Sequence, residues 1–151
     1  MPEHKIVFHV LIVDDEKLIA KAHARMVESL IKKMSSAPKV GVHYETDADA
    51  RAGAYLKMLD LFSAAAKDEA KARLLLITDW AMPLMGEGAK LIEESRKIAA
   101  AAHAHVDQIT AVICSGSSTD AAADVERLGV EFLDKPVDKD KLADLIRRFL
   151  S

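Results

Sequence analysis

Ile6-Val7-Phe8-His9-Val10-Leu11-Ile12-Val13-Asp14-Asp15-Glu16 is an apolar run interrupted once, by His9, and closed by three acids in succession. Such a run is expected of a strand covered on both faces, as in a parallel sheet. Carboxylates at its far end fall where open α/β sheets collect their ligands, in the crevice beyond the carboxyl ends of the strands. The arrangement recurs along the chain. Leu74 to Thr78 ends at Asp79, Ile109 to Cys114 delivers Ser115 and Gly116, and Val130 to Leu133 delivers Asp134, Lys135 and Pro136. On one sheet, these strand ends bring carboxylates, a hydroxyl and an amine to a common site.

The segments between these runs read as helices. Lys17 to Met34 carries Ile19, Ala22, Met26, Leu30 and Met34 at helical spacing, with Lys21, Arg25, Lys32 and Lys33 left for solvent. Ser35, Ser36 and Pro38 end it. A short strand, Val40 to Glu45, leads through Thr46 and Asp47 into a second helix with Ala54, Met58, Phe62 and Ala65 facing inward and Lys67 to Arg73 as a charged exit. After Asp79, a loop containing Met82-Pro83-Leu84-Met85-Gly86 precedes a helix bearing Leu91, Ile92, Ser95, Ile98 and Ala102. The stretch from Ala99 through His103-Ala104-His105 is expected to be an extended helix end or a solvated connector. A short helix around Thr119 to Leu128 stops at Gly129, and Lys139 to Leu150 forms the last one. Five strands alternating with five helices require crossover connections, hence an α/β fold with a parallel sheet and helices on both faces.

Composition narrows the function. The chain has 151 residues, half of them hydrophobic, and is expected to form one domain with a proper core. A net charge of −3 offers no electrostatic footprint for nucleic acid or an anionic membrane, so direct binding to either is not expected. Cys114 is the single cysteine and sits in an apolar strand, consistent with a buried structural thiol and a cytoplasmic setting. The N-terminal residues meet acids at Asp14 before any apolar stretch of membrane-spanning or secretory length.

The convergent acids set the chemistry. Two unit charges about 4 Å apart repel by ~4 kcal/mol at an effective dielectric of 20, so Asp14, Asp15 and Asp79 need a cation to share a pocket. Oxygen-only ligands suit a hard ion such as Mg²⁺, and no histidine or thiol is placed to favour zinc. Lys135 adds a fixed positive charge and Ser115 a donor, both suited to phosphoryl oxygens. Simpler roles compete: Asp14 as a helix cap, Asp79 as a turn residue, Ser115 as a strand end and Lys135 as a solvated lysine. Three acids in succession exceed what a cap requires, and the joint spacing favours phosphoryl transfer onto a carboxylate.

Val10-Leu11-Ile12-Val13-Asp14-Asp15-Glu16, Asp79-Trp80-Ala81-Met82-Pro83-Leu84-Met85-Gly86, Ser115-Gly116 and Lys135-Pro136, in this order on successive strands, resemble the receiver domains of two-component response regulators. The resemblance covers essentially the whole chain, residues 1–151, as one receiver domain of the single-domain, chemotaxis type with no output domain. It implies a flavodoxin-like doubly wound sheet of strand order 2-1-3-4-5. It further implies that Asp79 is the phosphoacceptor and that Asp15, Asp79 and the backbone carbonyl of Ala81 hold Mg²⁺, with Asp14 acting through metal-bound water. Lys135 would pair with Asp79 before transfer and with a phosphoryl oxygen afterwards. Ser115 would swing toward the phosphoryl group while Phe132 moves inward behind it. Met82, Pro83, Gly86 and Pro136 match the family's loops, and Lys135-Pro136 is a candidate cis peptide.

The implied partners are a histidine kinase or histidine phosphotransfer protein as donor and a downstream protein target, or a further relay, as recipient. The implied activity is a signalling switch limited to its own phosphorylation and dephosphorylation, read out on the fourth helix, last strand and last helix. The alternative is a Mg²⁺-dependent phosphohydrolase using Asp79 on a small substrate, but Ala81 stands where such an enzyme needs a general acid and base. The long interval between Asp15 and Asp79 is assigned to extended first and second helices.

Overall fold

The computed structural model describes residues 5–151. Strands and helices alternate in the order β1 (Lys5–Val13), α1 (Lys17–Lys32), β2 (Val40–Glu45), α2 (Ala50–Lys67), β3 (Ala70–Asp79), α3 (Glu87–Ala101), a 3₁₀ turn at His103–His105, β4 (Val106–Ser115), α4 (Ser118–Leu128), β5 (Glu131–Asp134) and α5 (Lys139–Leu150). All strand pairs are parallel and the sheet order is β2-β1-β3-β4-β5. The doubly wound α/β architecture and the 2-1-3-4-5 order expected above are both present. Among the described residues, no helix is long and apolar enough to cross a membrane.

Each face of the sheet has its own core. Leu11, Leu74, Leu76 and Ile113 pack with α2 and α3 residues such as Met58, Phe62, Leu91 and Ile92 on one side. Val10, Ile12, Leu75 and Val112 pack with Val27 of α1 and Leu142, Leu145, Ile146 and Phe149 of α5 on the other. Because neighbouring side chains alternate between faces, β1 from Val10 to Val13 and β3 from Leu74 to Ile77 are apolar at every position, the pattern of a strand buried on both sides.

Register sets the site. Val13 lies opposite Thr78, Asp79 opposite Cys114, and Ser115 opposite Asp134. The residues that close each strand therefore emerge level with one another along a single rim.

Three expectations are corrected. The buried positions of α1 are Ala20, Ala24 and Val27, while Ala22 is exposed and Ile19, Met26, Leu30 and Met34 are only half-buried. Small residues let the helix axis lie close to the sheet, and the larger side chains flank the contact. Helix α1 also ends at Lys32, short of Met34. The expected charged exit from Lys67 to Arg73 is shorter, since β3 begins at Ala70 and takes in Lys71 and Arg73. Arg73 is accommodated by a bond from Nε to Asp107 (2.7 Å) and by stacking 5.1 Å from the centre of the Phe8 ring, so its stem is covered while its charge is paired. The remaining differences are of one to three residues: β4 starts at Val106, and β5 runs Glu131–Asp134. The inward face expected for α2, Ala54, Met58, Phe62 and Ala65, is buried.

Candidate functional site

β1, β3, β4 and β5 deliver Asp14 and Asp15, Asp79, Ser115, and Lys135 to the carboxyl rim of the sheet. One oxygen from each of Asp14, Asp15 and Asp79 lies within 4.8 Å of the others. Asp14 is buried and Asp15 and Asp79 are half-buried. The backbone secures them: Asp14 N–H donates to the Glu45 carbonyl (3.2 Å), and Asp47 N–H donates to the Asp15 carbonyl (3.1 Å), tying the acids to the end of β2. Asp14 is not the N-cap of α1, a position held by Glu16, although its Oδ1 accepts from Glu16 N–H (2.9 Å).

Lys135 reaches back across the site from the end of β5. Its Nζ stands 2.7 Å from Asp14 Oδ2 and 3.3 Å from Asp79 Oδ1. The expected Lys135–Asp79 pairing is thus shared, and Asp14 is the nearer partner. Burial by itself depresses the basicity of Lys135, but the bond to Asp14 and the charges of Asp79 and Asp14 raise its pKa above the ordinary lysine value. Asp79 responds in the opposite direction. Burial pushes its carboxyl up to about 6, even though Lys135 and the Trp80 N–H (2.9 Å to Asp79 Oδ1) favour the anion. A carboxyl that gains or loses a proton near neutral pH is typical of functional sites.

Ser115 is buried at the end of β4, and its Oγ accepts the Ser117 N–H (3.1 Å). Its carbonyl accepts the Lys135 N–H (3.0 Å), which fixes the two strand ends side by side. The Lys135-Pro136 peptide is cis, as is Met82-Pro83. Phe132 is half-buried and packs against the α2–α3–α4 core without being part of its sealed interior. Ala81 follows Trp80, half-buried, and Met82 is buried below the loop whose exposed crest is Pro83, Leu84 and Met85. Gly86 has φ +82°, a left-handed conformation that side chains resist.

Several contributors escaped the sequence reading. Gly88 is one: a Cβ there would lie 1.9 Å from the Asp79 carbonyl oxygen, so α3 can seat its first turn on the Asp79 backbone only through glycine. Its N–H donates to the Trp80 carbonyl (3.0 Å). Arg51 of α2 binds Glu87 (2.6 Å) and Glu94 (2.8 Å) of α3, bracing the loop from outside. The Trp80 indole N–H donates to Asp124 Oδ2 on α4 (2.8 Å). The half-buried His23 of α1 lies near enough to feel Lys135 and Asp14; burial, then Lys135, lowers its pKa. The near-repeat Gly86-Glu87-Gly88 was a local hint of close approach. The Arg51 and Asp124 partners leave no local signal.

Cys114, beside this cluster, is a buried thiol whose pKa burial pushes up to about 12, so it stays protonated. His103 and the partly covered His105 form the 3₁₀ connector between α3 and β4, in keeping with the solvated connector expected from sequence.

A parallel sheet of order 2-1-3-4-5 with acids ending its first and third strands has the architecture of response regulator receiver domains, and this chain has that fold. Solved structures agree. The receiver domain of the histidine kinase CKI1 from Arabidopsis thaliana, in complex with Mg²⁺ and BeF₃⁻, matches 94% of this chain and 89% of its own at 22% identity and TM-score 0.65. A response regulator receiver protein from Pseudomonas putida matches 98% of this chain and 99% of its own at 26% identity and TM-score 0.57. A CheY-like receiver domain from Methylobacillus flagellatus matches 95% and 98%, at 16% identity and TM-score 0.55. At the level of sequence, the chain matches no protein-family model and no curated protein.

Proposed function

We propose that the protein is a receiver-type signalling switch in which Asp79 accepts a phosphoryl group from a phosphohistidine donor. The observation that carries this reading is the convergence of Asp14, Asp15 and Asp79 within 4.8 Å, with the Lys135 ammonium between Asp14 and Asp79. In the transfer, an Asp79 carboxylate oxygen attacks phosphorus as the P–N bond to the donor imidazole breaks. The bonding pair leaves with the imidazole nitrogen, which takes a proton from solvent, and an acyl phosphate remains on Asp79. Donors of this chemistry are a histidine kinase or a histidine phosphotransfer protein.

The donor set fits a hard divalent ion, because the clustered ligands are all carboxylate oxygens. Asp14, Asp15 and Asp79, together with the Ala81 backbone carbonyl, are the residues that would hold Mg²⁺. When bound, the ion supplies positive charge that relieves repulsion among the carboxylates and draws phosphoryl oxygens. Lys135 supplies a second, permanent charge. Its short bond to Asp14 holds the ammonium at the rim, where a phosphoryl oxygen on Asp79 can replace the Asp79 carboxylate as its second partner.

Ser115 provides a hydroxyl donor at the end of β4, the strand that adjoins Asp79 on β3. Its Oγ accepts the Ser117 N–H, so a swing of Ser115 toward the phosphoryl group would draw on the loop leading into α4. Phe132, half-buried on β5, is the ring that would follow into the space released, so the α4–β5–α5 surface would carry the signal to a protein target or a further relay. The phosphohydrolase alternative gains no support, since Ala81 provides no acid or base beside Asp79.

The test is a titration with beryllofluoride and Mg²⁺ followed by fluorescence of Trp80, the sole tryptophan, which adjoins Asp79. A saturable change that needs both ions and disappears in Asp79→Asn is expected. No response in the wild type, or an unchanged response in the variant, removes Asp79 as the acceptor.

A further inference from the structure

Trp80 is fastened at three points. Its N–H donates to the Asp79 carboxylate (2.9 Å), its carbonyl accepts from Gly88 (3.0 Å), and its indole N–H donates to Asp124 of α4 (2.8 Å). Asp124 is held in turn by Arg127 (3.0 Å), and Arg127 also pairs with Glu93 of α3. The carboxylate is therefore positioned to accept from the indole, and these bonds, the indole first, hold its pKa below the usual carboxylate range.

Helix α4 has few other anchors. It buries only Ala121 and Leu128, whereas α5 of similar length buries five side chains, and its first turn has no side-chain cap. Its C-terminal end is pinned by Arg96, which donates to the Leu128 carbonyl (2.7 Å). Its N-terminal end, Ser118 and Thr119, is exposed and continuous with the Ser115-Gly116-Ser117 loop. Asp124 stands just past the middle of α4, between the exposed first turn and the pinned C-terminal end, and its bond to the indole ties the helix to the residue that follows Asp79. Asp124 lies about 9 Å along the helix from Ser118, so a pull on the loop acts against this tie.

We propose that the Trp80–Asp124 hydrogen bond is a latch that holds α4 in the position it takes when Asp79 is unmodified, making Asp124 a positioning residue that acts through Trp80 on how readily Asp79 is occupied. The proposal rests on the assignment of Asp79 as the phosphoacceptor. Because the latch favours the unoccupied state, releasing it shifts the two-state balance toward the occupied one.

The experiment measures beryllofluoride affinity in the presence of Mg²⁺ by ¹⁹F NMR, together with amide hydrogen exchange in residues 118–126, for the wild type and four variants. Asp124→Ala and Trp80→Phe both remove the bond and are expected to tighten beryllofluoride binding by about three- to tenfold, the range a single hydrogen bond spans, and to speed exchange in α4. Asp124→Asn keeps an acceptor for the indole and should stay near the wild type. Arg127→Ala removes the side chain that steadies Asp124 but leaves the indole bond, and its affinity should change by clearly less than that of Asp124→Ala. Equal affinity in the wild type, Asp124→Ala and Trp80→Phe overturns the latch while leaving Asp79 as the acceptor. An Arg127→Ala effect as large as that of Asp124→Ala also overturns it, assigning the effect to the ion pair. Absence of beryllofluoride binding in every protein overturns the Asp79 assignment and the latch together.

Discussion

Asp14 and Asp79 end their strands as neighbouring carboxylates with the Lys135 ammonium set between them. Further back on β1, His9 Nδ1 meets His43 Nε2 of β2 at 3.0 Å, and the nearby charge is of the wrong sign, since Lys57 of α2 disfavours protonating either ring. The first cluster keeps its charges and supplies a counter-charge. The second stays neutral, with burial and then Lys57 lowering the pKa of both rings, that of His43 to about 4. Each cluster also rests on a glycine. A Cβ on Gly88 would strike the Asp79 carbonyl oxygen at 1.9 Å, and one on Gly41 would meet the His9 and His43 rings at 2.8 and 3.0 Å. The difference separates a site held by rigid backbone and fixed charge from a pair of side chains that can adjust.

The sharpest way to test that contrast is to add one methyl group to each. In Gly88→Ala the obstacle is backbone, which cannot move without displacing Asp79 and the start of α3. A loss of about 3 kcal/mol or more is expected, at the upper end of overpacking costs. In Gly41→Ala the obstacles are ring edges that can tilt, and a loss of about 1 kcal/mol is expected. Urea unfolding of both variants measures the pair. Equal losses would show that the acid pocket is no more rigidly seated than the histidines.

The second test turns on the charge that the acid pocket retains. Asp79 has a pKa raised from 3.8 to about 6. Between those values the folded chain binds more protons than the unfolded chain, so this group's contribution to stability falls as pH rises and its cost is complete above about pH 6. Asp79→Asn removes the cost and leaves Lys135 paired with Asp14. In EDTA at pH 7.5 the variant should be more stable by about 2 kcal/mol, with the advantage shrinking toward pH 4. A variant no more stable than the wild type at pH 7.5 would mean that Lys135 fully compensates Asp79.

These clusters were unequally legible in the sequence. The acid pocket lies at strand ends, and in a parallel sheet strand ends are marked by the stop of a continuous apolar run. Asp14, Asp79, Ser115 and Lys135 are therefore assigned to one rim by the residue pattern alone. The helix faces were read less well where size misled: α1 turns Ala20, Ala24 and Val27 to the sheet, because small residues permit close approach, and the bulkier Ile19 and Met26 lie to the side. Arg73 looked like loop because its charge is neutralised by Asp107, far along the chain. The Trp80–Asp124 and His9–His43 pairs join residues from different elements and follow no local period, so only the fold could reveal them. His9 was visible as an interruption in β1, but its partner was not.

The smallest effect belongs to that interruption. An unfolded histidine takes up its proton near 6.5 and the folded His43 near 4, so in this window the unfolded chain binds more protons and stability falls as pH drops, levelling off below about 4. Because His43 is only half-buried, solvent screening trims the contribution to about 1 kcal/mol. His43→Gln removes the titrating group while leaving a polar side chain for His9. Subtracting the variant's stability from that of the wild type cancels the carboxylates, which titrate in both. The difference should decline by about that amount from pH 7 to 4.5. A flat difference would mean that the His9–His43 pair accepts a proton as easily folded as unfolded, and that this cluster, like the acid pocket, tolerates charge.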